Sequence, residues 1–222
     1  MNRPPVKTQF VKLKSPIDQN WRSLSLHMSP LRIAILGSGK GSNFRSILTE
    51  FQSGHLNIQP VLVLSDNADA GILHLAREAR IPAEVIHEEK YRTRLSESVE
   101  TALAARFQDL KTELVVLAGY MRMLKAPLLE AFPRRIINIH PSLLPAFPGL
   151  EAWKQARLAG VTETGCTVHY VDGGMDTGEI IAQSTVVVMQ DDTDETLHAR
   201  IQVAEHQLYP EVISRFANRI LP

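Results

Sequence analysis

A single cysteine, Cys166, stands in the 222 residues, so no internal disulfide and no cysteine-built metal cluster can form, and this usage fits a reducing compartment. Long apolar runs are missing as well. None approaches the ~20 residues that a membrane-spanning helix needs, so the chain reads as soluble, with no membrane partner. Charge of one sign is also lacking: 24 lysines and arginines face 24 aspartates and glutamates. With no overall field to draw in nucleic acid or an anionic surface, a small molecule is the expected partner. Internal repeats and low-complexity tracts are absent. The length suits one sizeable core.

Residues 1–30 differ in composition from the rest of the chain. Arg3, Lys7, Lys12, Lys14 and Arg22 face one acid, Asp18, and no apolar core of a secretory signal is present. This stretch is expected to be a disordered or loosely docked extension, an organellar targeting peptide, or the product of a start placed upstream of Met28. It is left out of the fold, and residues 31–222 are taken as the folded domain.

From Leu31 onward short apolar runs alternate with helical patterns. Strands are expected at Ile33–Leu36, Pro60–Ser65, Ala83–His87, Leu114–Ala118 and Arg135–Ile139. Helices are expected at Asn43–Phe51, Ala70–Ala79, Arg92–Phe107 and Pro127–Ala131. This spacing implies right-handed βαβ units, hence an α/β fold with a doubly wound, mostly parallel, Rossmann-like sheet. After Gly149 the texture changes. A helix at Glu151–Ala159, strands at Thr167–Val171 and Ile180–Val188, and a long helix at Thr193–Ala217 read as a partly antiparallel extension in the C-terminal half. Thr167, His169 and Val171 share one face of their strand.

Three segments carry chemistry. Gly37-Ser38-Gly39-Lys40-Gly41-Ser42-Asn43 joins the first strand to the first helix, where glycines let the backbone approach closely and a helix N-terminus offers free N–H groups, so it suits a phosphate. A merely structural tight turn is the alternative. As a dinucleotide fingerprint it is imperfect, because Ser42 occupies the third glycine position, although Asp66 stands roughly where a ribose-binding acid would. Asn138-Ile139-His140 then closes a buried strand, with the amide and the imidazole two residues apart on one side of the sheet. His140 alone is as readily a packed strand-end histidine, but Pro141, Pro145 and Pro148 stiffen the following loop as a preorganised site requires. Leu144-Pro145 is a candidate cis bond. Asp172-Gly173-Gly174-Met175-Asp176-Thr177-Gly178 reads either as a hairpin turn or as a loop that brings a carboxylate to His140, favouring the imidazolium.

In order and at matching separations, these segments resemble the phosphoribosylglycinamide formyltransferase family, folate-dependent enzymes of purine synthesis. The resemblance rests on Ser38 to Asn43, on Leu117 to Leu124 (Leu-Ala-Gly-Tyr-Met-Arg-Met-Leu), on Asn138 to Pro145, and on Asp176 with Thr177-Gly178. Glu205-His206 and Tyr209-Pro210 match the family's late helix. It covers the chain from about Arg32 onward and implies a formyltransferase fold with a phosphate-binding half, 31–149, and a folate-side half, 150–222.

What the resemblance implies is specific. The formyl group of the co-substrate 10-formyltetrahydrofolate passes to the glycyl amine of glycinamide ribonucleotide, in the cytoplasm and without a metal, in a monomer or homodimer. Asn138, His140 and Asp176 are the expected catalytic residues, with His140 held as imidazolium by Asp176. Gly41, Ser42 and Asn43 would hold the ribonucleotide phosphate and Glu205 its ribose. Met121, Arg122, Met123, Leu124, Val171 and Asp172 would line the folate pocket through main-chain groups, with Arg94, or nearby Arg92, at its formyl end. His169 and His198 are read as residues that pack or hydrogen-bond. Two relatives compete: formyltetrahydrofolate hydrolase, expected to carry an added N-terminal domain, and methionyl-tRNA formyltransferase, expected to carry a C-terminal nucleic-acid domain. A nucleotide-binding module built on the glycine loop and Asp66 is a rival of another class, but it leaves Asn138, His140 and Asp176 without a task.

Overall fold

The structure is a computed structural model that describes residues 7–10 and 29–221. Short Val/Ile/Leu runs become strands because both of their faces are covered, as buried parallel strands require. The strands are β1 (Lys7–Phe10), β2 (Leu31–Leu36), β3 (Ile58–Ser65), β4 (Ala83–Val85), β5 (Leu114–Leu117), β6 (Ile136–His140), β7 (Glu163–Tyr170) and β8 (Ile180–Val187). The helices are α1 (Ser42–Gln52), α2 (Gly71–Glu78), α3 (Glu97–Asp109), α4 (Ala126–Ala131), α5 (Ala152–Leu158) and α6 (Asp194–Ala217).

All eight strands join one sheet in the order β1-β8-β7-β6-β5-β2-β3-β4. From β6 to β4 the neighbours run parallel, while β7, β8 and β1 add antiparallel strands. Alternation along each strand sorts the core into two layers. Ile33, Ile35, Val116, Ile137 and Ile139 pack with residues of α1, α2 and α6. Ala34, Leu36, Val115, Leu117 and Ile136 pack with α3 and α4 on the other face. The expected doubly wound sheet with an antiparallel extension is therefore present.

Three differences matter for the site. Lys7–Phe10, inside the stretch set aside as an extension, pairs antiparallel with β8 at the sheet edge; the remainder of 1–28 lies outside the described residues. The strand expected at Thr167 begins at Glu163, its start hidden by the polar and small residues Thr164 and Gly165. The helix expected from Arg92 begins at Glu97. Glu88 captures the backbone N–H groups of Lys90, Tyr91 and Ser96, so residues 90–96 form a loop against the protein instead of a first helical turn.

Candidate active site

β2 is the point where the sheet reverses. The chain runs outward from it to β3 and β4, then returns to β5 on its other side. Ligand crevices in open α/β sheets form at such a point, beyond the carboxyl ends of the strands. The loops leaving β2 and β5 are stitched together there. Ser38 N–H donates to Gly119 C=O (3.0 Å), and Met121 N–H donates to Ser38 Oγ (3.0 Å).

The glycine loop turns into α1 through Gly41, whose φ of +78° and close approach to Ile72 Cα, 2.9 Å from where a Cβ would stand, leave room for no side chain. The first helical bond is Arg45 N–H to Gly41 C=O, so the N–H groups of Ser42, Asn43 and Phe44 precede the ladder and are available to an anion. Ser42 is half-buried. Asn43 is buried, and its Nδ2 donates to Glu205 Oε2 at 3.2 Å. The Asn43 side chain is therefore engaged with the residue expected to hold a ribose, and its backbone N–H is what remains for a phosphate. Burial raises the Glu205 carboxyl to about 7, with the Asn43 hydrogen bond as the one opposing effect.

At the end of β6 the structure brings together more than the sequence predicts. Antiparallel pairing sets Asn138 opposite His169 and His140 opposite Thr167. Asn138 Nδ2 and His169 Nε2 stand 3.2 Å apart. Asp176, at φ +55°, reaches back from the β7–β8 loop. Its Oδ2 lies 3.3 Å from His140 Nδ1 and accepts the Gly149 N–H at 2.8 Å, and its Oδ1 lies 3.7 Å from His169 Nε2. The segment is thus both the hairpin connection and the carboxylate-bearing loop. Gly178 is obligatory at its end, since a Cβ there would lie 1.7 Å from Tyr170 O.

The proline loop is held as well as stiff. The Leu144–Pro145 bond is cis. Thr167 Oγ1 donates to Ser142 C=O (2.7 Å) and accepts the Leu144 N–H (3.0 Å), while Gln183 Nε2 donates to Leu144 C=O (2.9 Å). Ser142 Oγ donates to Ala146 C=O at 2.6 Å.

Backbone carbonyls assign the ring protons. His140 Nε2 donates to Phe147 C=O (2.9 Å) and His169 Nδ1 to Tyr170 C=O (2.8 Å), so each of these nitrogens carries hydrogen. His140 Nδ1 then faces the carboxylate, and that line is where the cluster gains or loses a proton. The carboxylate of Asp176 faces His140, and its charge favours the imidazolium, but it does not act alone. Burial, the largest effect, lowers the His140 value and outweighs the Phe147 bond and the Asp176 charge, so the ring is driven toward its neutral form. For Asp176 burial is again the largest single effect, acting upward. His169, 3.7 Å away, the Gly149 N–H and the charge of His140 together carry the carboxyl below its ordinary value.

On the folate side two side chains are not free. Arg122 Nε donates to Asp66 Oδ2 at 2.7 Å, both groups nearly buried, and its guanidinium also bonds the carbonyls of Tyr91 and Arg94. One oxygen of Asp66 is thereby engaged by Arg122, while its Oδ1 is buried with no partner among the described residues. Leu124 is in the core. Both Arg122 and Leu124 can line a pocket only through their main chain. Met121 is exposed, Met123 and Val171 are half-buried, and Asp172 caps its own turn by accepting the Gly174 N–H and the Thr177 hydroxyl. Arg94 pairs with Met123 in an isolated parallel bridge and stacks on Tyr91, 4.0 Å from the ring centre, which ties it to the folate segment; Arg92 is exposed beside it. His198 stacks on Trp153, as a packing residue should.

His169 is the functional candidate that sequence reasoning set aside. Its face-sharing with Thr167 was visible, but the register that puts it opposite Asn138 was not. Among the described residues no group of three His, Cys, Asp or Glu is arranged to hold a metal ion, and no helix is long and apolar enough to cross a membrane.

Residues 31–213 match the family model described as formyl transferase. The chain is 42% identical over 184 residues to the phosphoribosylglycinamide formyltransferase of Bacillus subtilis, covering 83% of this chain and 93% of that protein. It is also 42% identical over 192 residues to the trifunctional purine biosynthetic protein adenosine-3 of Drosophila pseudoobscura pseudoobscura, covering 86% of this chain but 14% of that much longer protein. Among solved structures, glycinamide ribonucleotide transformylase 1 from Symbiobacterium toebii is 47% identical with a TM-score of 0.81, over 86% of this chain and 89% of that one.

Proposed function

The chain belongs to the formyl transferase family, and from that premise we propose that it transfers the formyl group of 10-formyltetrahydrofolate to the glycyl amine of glycinamide ribonucleotide, a step of de novo purine synthesis. The observation that carries this reading is the convergence of Asn138, His140, His169 and Asp176 at the end of β6, in the same sheet whose switch strand β2 leads into the free N–H groups of α1. An amine acceptor bearing a phosphate fits that pairing. A nucleotide module built on Asp66 fits it less well, because Arg122 pairs with one oxygen of that carboxylate and the rival gives Asn138, His140 and Asp176 no task.

In this reading the N–H groups of Gly41, Ser42 and Asn43 hold the phosphate, Glu205 holds the ribose, and the main chain of Met121 to Leu124 and of Val171 and Asp172 reads the folate, with Arg94 at the formyl end. The amine attacks the formyl carbon and the carbonyl oxygen gains negative charge. That oxyanion takes the Asn138 amide and the His140 Nε2–H, the latter by displacing the Phe147 carbonyl that ring now bonds. The amine's proton passes to the His140–Asp176 pair and on to N10 as the carbon–N10 bond breaks. His169 acts through its neighbours, steering Asn138 and keeping Asp176 ionised. The chemistry asks for no metal, the partners are small molecules and not nucleic acid or membrane, and the setting we propose is the cytoplasm.

His140→Ala tests the assignment. Loss of one such donor typically lowers the rate ~10²–10³-fold, read as formation of formylated ribonucleotide. Unchanged transfer in a folded variant would remove His140 from the mechanism.

A further inference from the structure

Asn43 and Glu205 leave one hydrogen-bonding position unexplained. The carboxyl of Glu205 is buried beneath α6 against α1, and the one hydrogen bond recorded for it comes from Asn43 Nδ2, at 3.2 Å. The other end of the same amide, Asn43 Oδ1, is buried and receives no donor among the described residues. Buried acceptors are seldom left unpaired. Exchanging the amide's nitrogen and oxygen does not remove the problem, because an oxygen would then face the carboxylate oxygen directly. In either orientation the pair lacks one hydrogen.

We infer that in the ligand-free protein Glu205 is a neutral carboxylic acid whose proton is directed at the Asn43 amide oxygen, and that a ligand presenting the vicinal diol of a ribose displaces this proton to solvent. The inference rests on the reading of Glu205 as the ribose contact.

The surroundings support a neutral acid. The titratable groups that feel Glu205 are the Cys166 thiol, on β7 beneath α6, and the Tyr209 phenol one turn along the same helix; burial pushes both upward, so both stay uncharged. Of the other elements packed on α6, α1 contributes Asn43, and no charged group of α5 or β8 acts on the carboxyl. Among the described residues Glu205 forms no ion pair. Burial alone carries its value to about 7. A diol brings two O–H donors. A carboxylate offers two acceptor oxygens to them, whereas the neutral acid offers one and holds a hydrogen that competes for the Asn43 oxygen. Binding therefore favours the ionised form, and linkage requires the acid proton to leave as the ligand arrives, the buffer taking it up.

Calorimetric titration with glycinamide ribonucleotide at pH 7, in two buffers of unlike ionisation enthalpy, counts the protons released. With a value of about 7, roughly half a proton should leave the wild-type site, falling toward none by about pH 9. The ligand's own phosphate, ionising near ~6, adds the same small release to Glu205→Gln, so the difference between the two proteins isolates the carboxyl. The infrared carbonyl band of a protonated carboxyl, measured as wild type minus Glu205→Gln, should be present without ligand and vanish when the ribonucleotide is added. Equal proton release from both proteins, or no such band in the ligand-free wild type, overturns the inference. Failure of the ribonucleotide to bind the wild type overturns the ribose reading instead, and the ligand-free infrared band still decides the protonation state by itself.

Discussion

Glu205, bonded by the Asn43 amide, and Asp176, set against His140, are both screened from water, and burial drives both carboxyl groups upward. Their values shift in opposite directions because of the company they keep. Glu205, between α1 and α6, has one neutral donor, and burial wins. Asp176, reaching toward β6 from the β7–β8 loop, has the Gly149 N–H and two imidazoles, and the partners win. Desolvation alone does not set the charge of a buried group; the number and kind of donors facing it decides. One site thus favours a carboxylate where a proton must be accepted, and the other a carboxyl that can lose its proton to solvent as a ligand binds.

Removing the better-partnered carboxylate is the harshest break of that contrast. Asp176→Asn keeps the shape but loses the charge, and kcat should fall about 10³-fold while KM for the ribonucleotide changes little; steady-state kinetics decides it, and equal loss in both parameters would recast Asp176 as a binding residue. Arg122→Ala extends the comparison to a third buried carboxyl, Asp66, whose cation is taken away. Breaking such a pair should cost about 3 kcal/mol of stability, visible in urea melts, with the 91–95 loop loosened and KM for the folate raised.

Stability against pH reads Glu205 itself. Its folded value, about 7, exceeds the ordinary 4.5, so the folded state holds more protons between those limits and stability is lost as pH rises from 4.5 to 7, by roughly 3 kcal/mol. Asp176 has the opposite sign: lowered in the folded state, it contributes stability above 3.8 that is lost as pH falls through its folded value. Glu205→Gln should flatten the upper window and leave the acid limb in place; a wild-type curve already flat from 4.5 to 7 contradicts the contrast. The smallest effect belongs to His169→Phe. It keeps the ring volume but removes the nitrogen between Asn138 and Asp176, and should lower kcat about tenfold, as loss of an outer partner does at metal sites. Its pH–rate profile should also move, since Asp176 loses a neighbour that lowers its value; an unmoved profile would make His169 a packing residue after all.

Much of the fold and the site was legible in the chain. Apolar runs at Ile33–Leu36, Leu114–Ala118 and Arg135–Ile139 announced the parallel strands, and the glycine loop with Asn138, His140 and Asp176 marked the candidate site. What escaped depends on contacts between distant residues. Lys7–Phe10 has no apolar run, and becomes a strand only because β8 offers an edge. Arg122 meets Asp66 across 56 positions, and His169 meets Asn138 through a strand register that the sequence does not state. The charge of His140 is a balance between burial and partners, so naming its carboxylate neighbour was not enough to give its sign.

The acceptor of the formyl group is the deciding point. Purified protein should be given 10-formyltetrahydrofolate with and without glycinamide ribonucleotide, and the folate product followed by absorbance. Product that forms only when the ribonucleotide is present is the expected result; equal product in its absence, with water as the acceptor, would contradict the transferase reading.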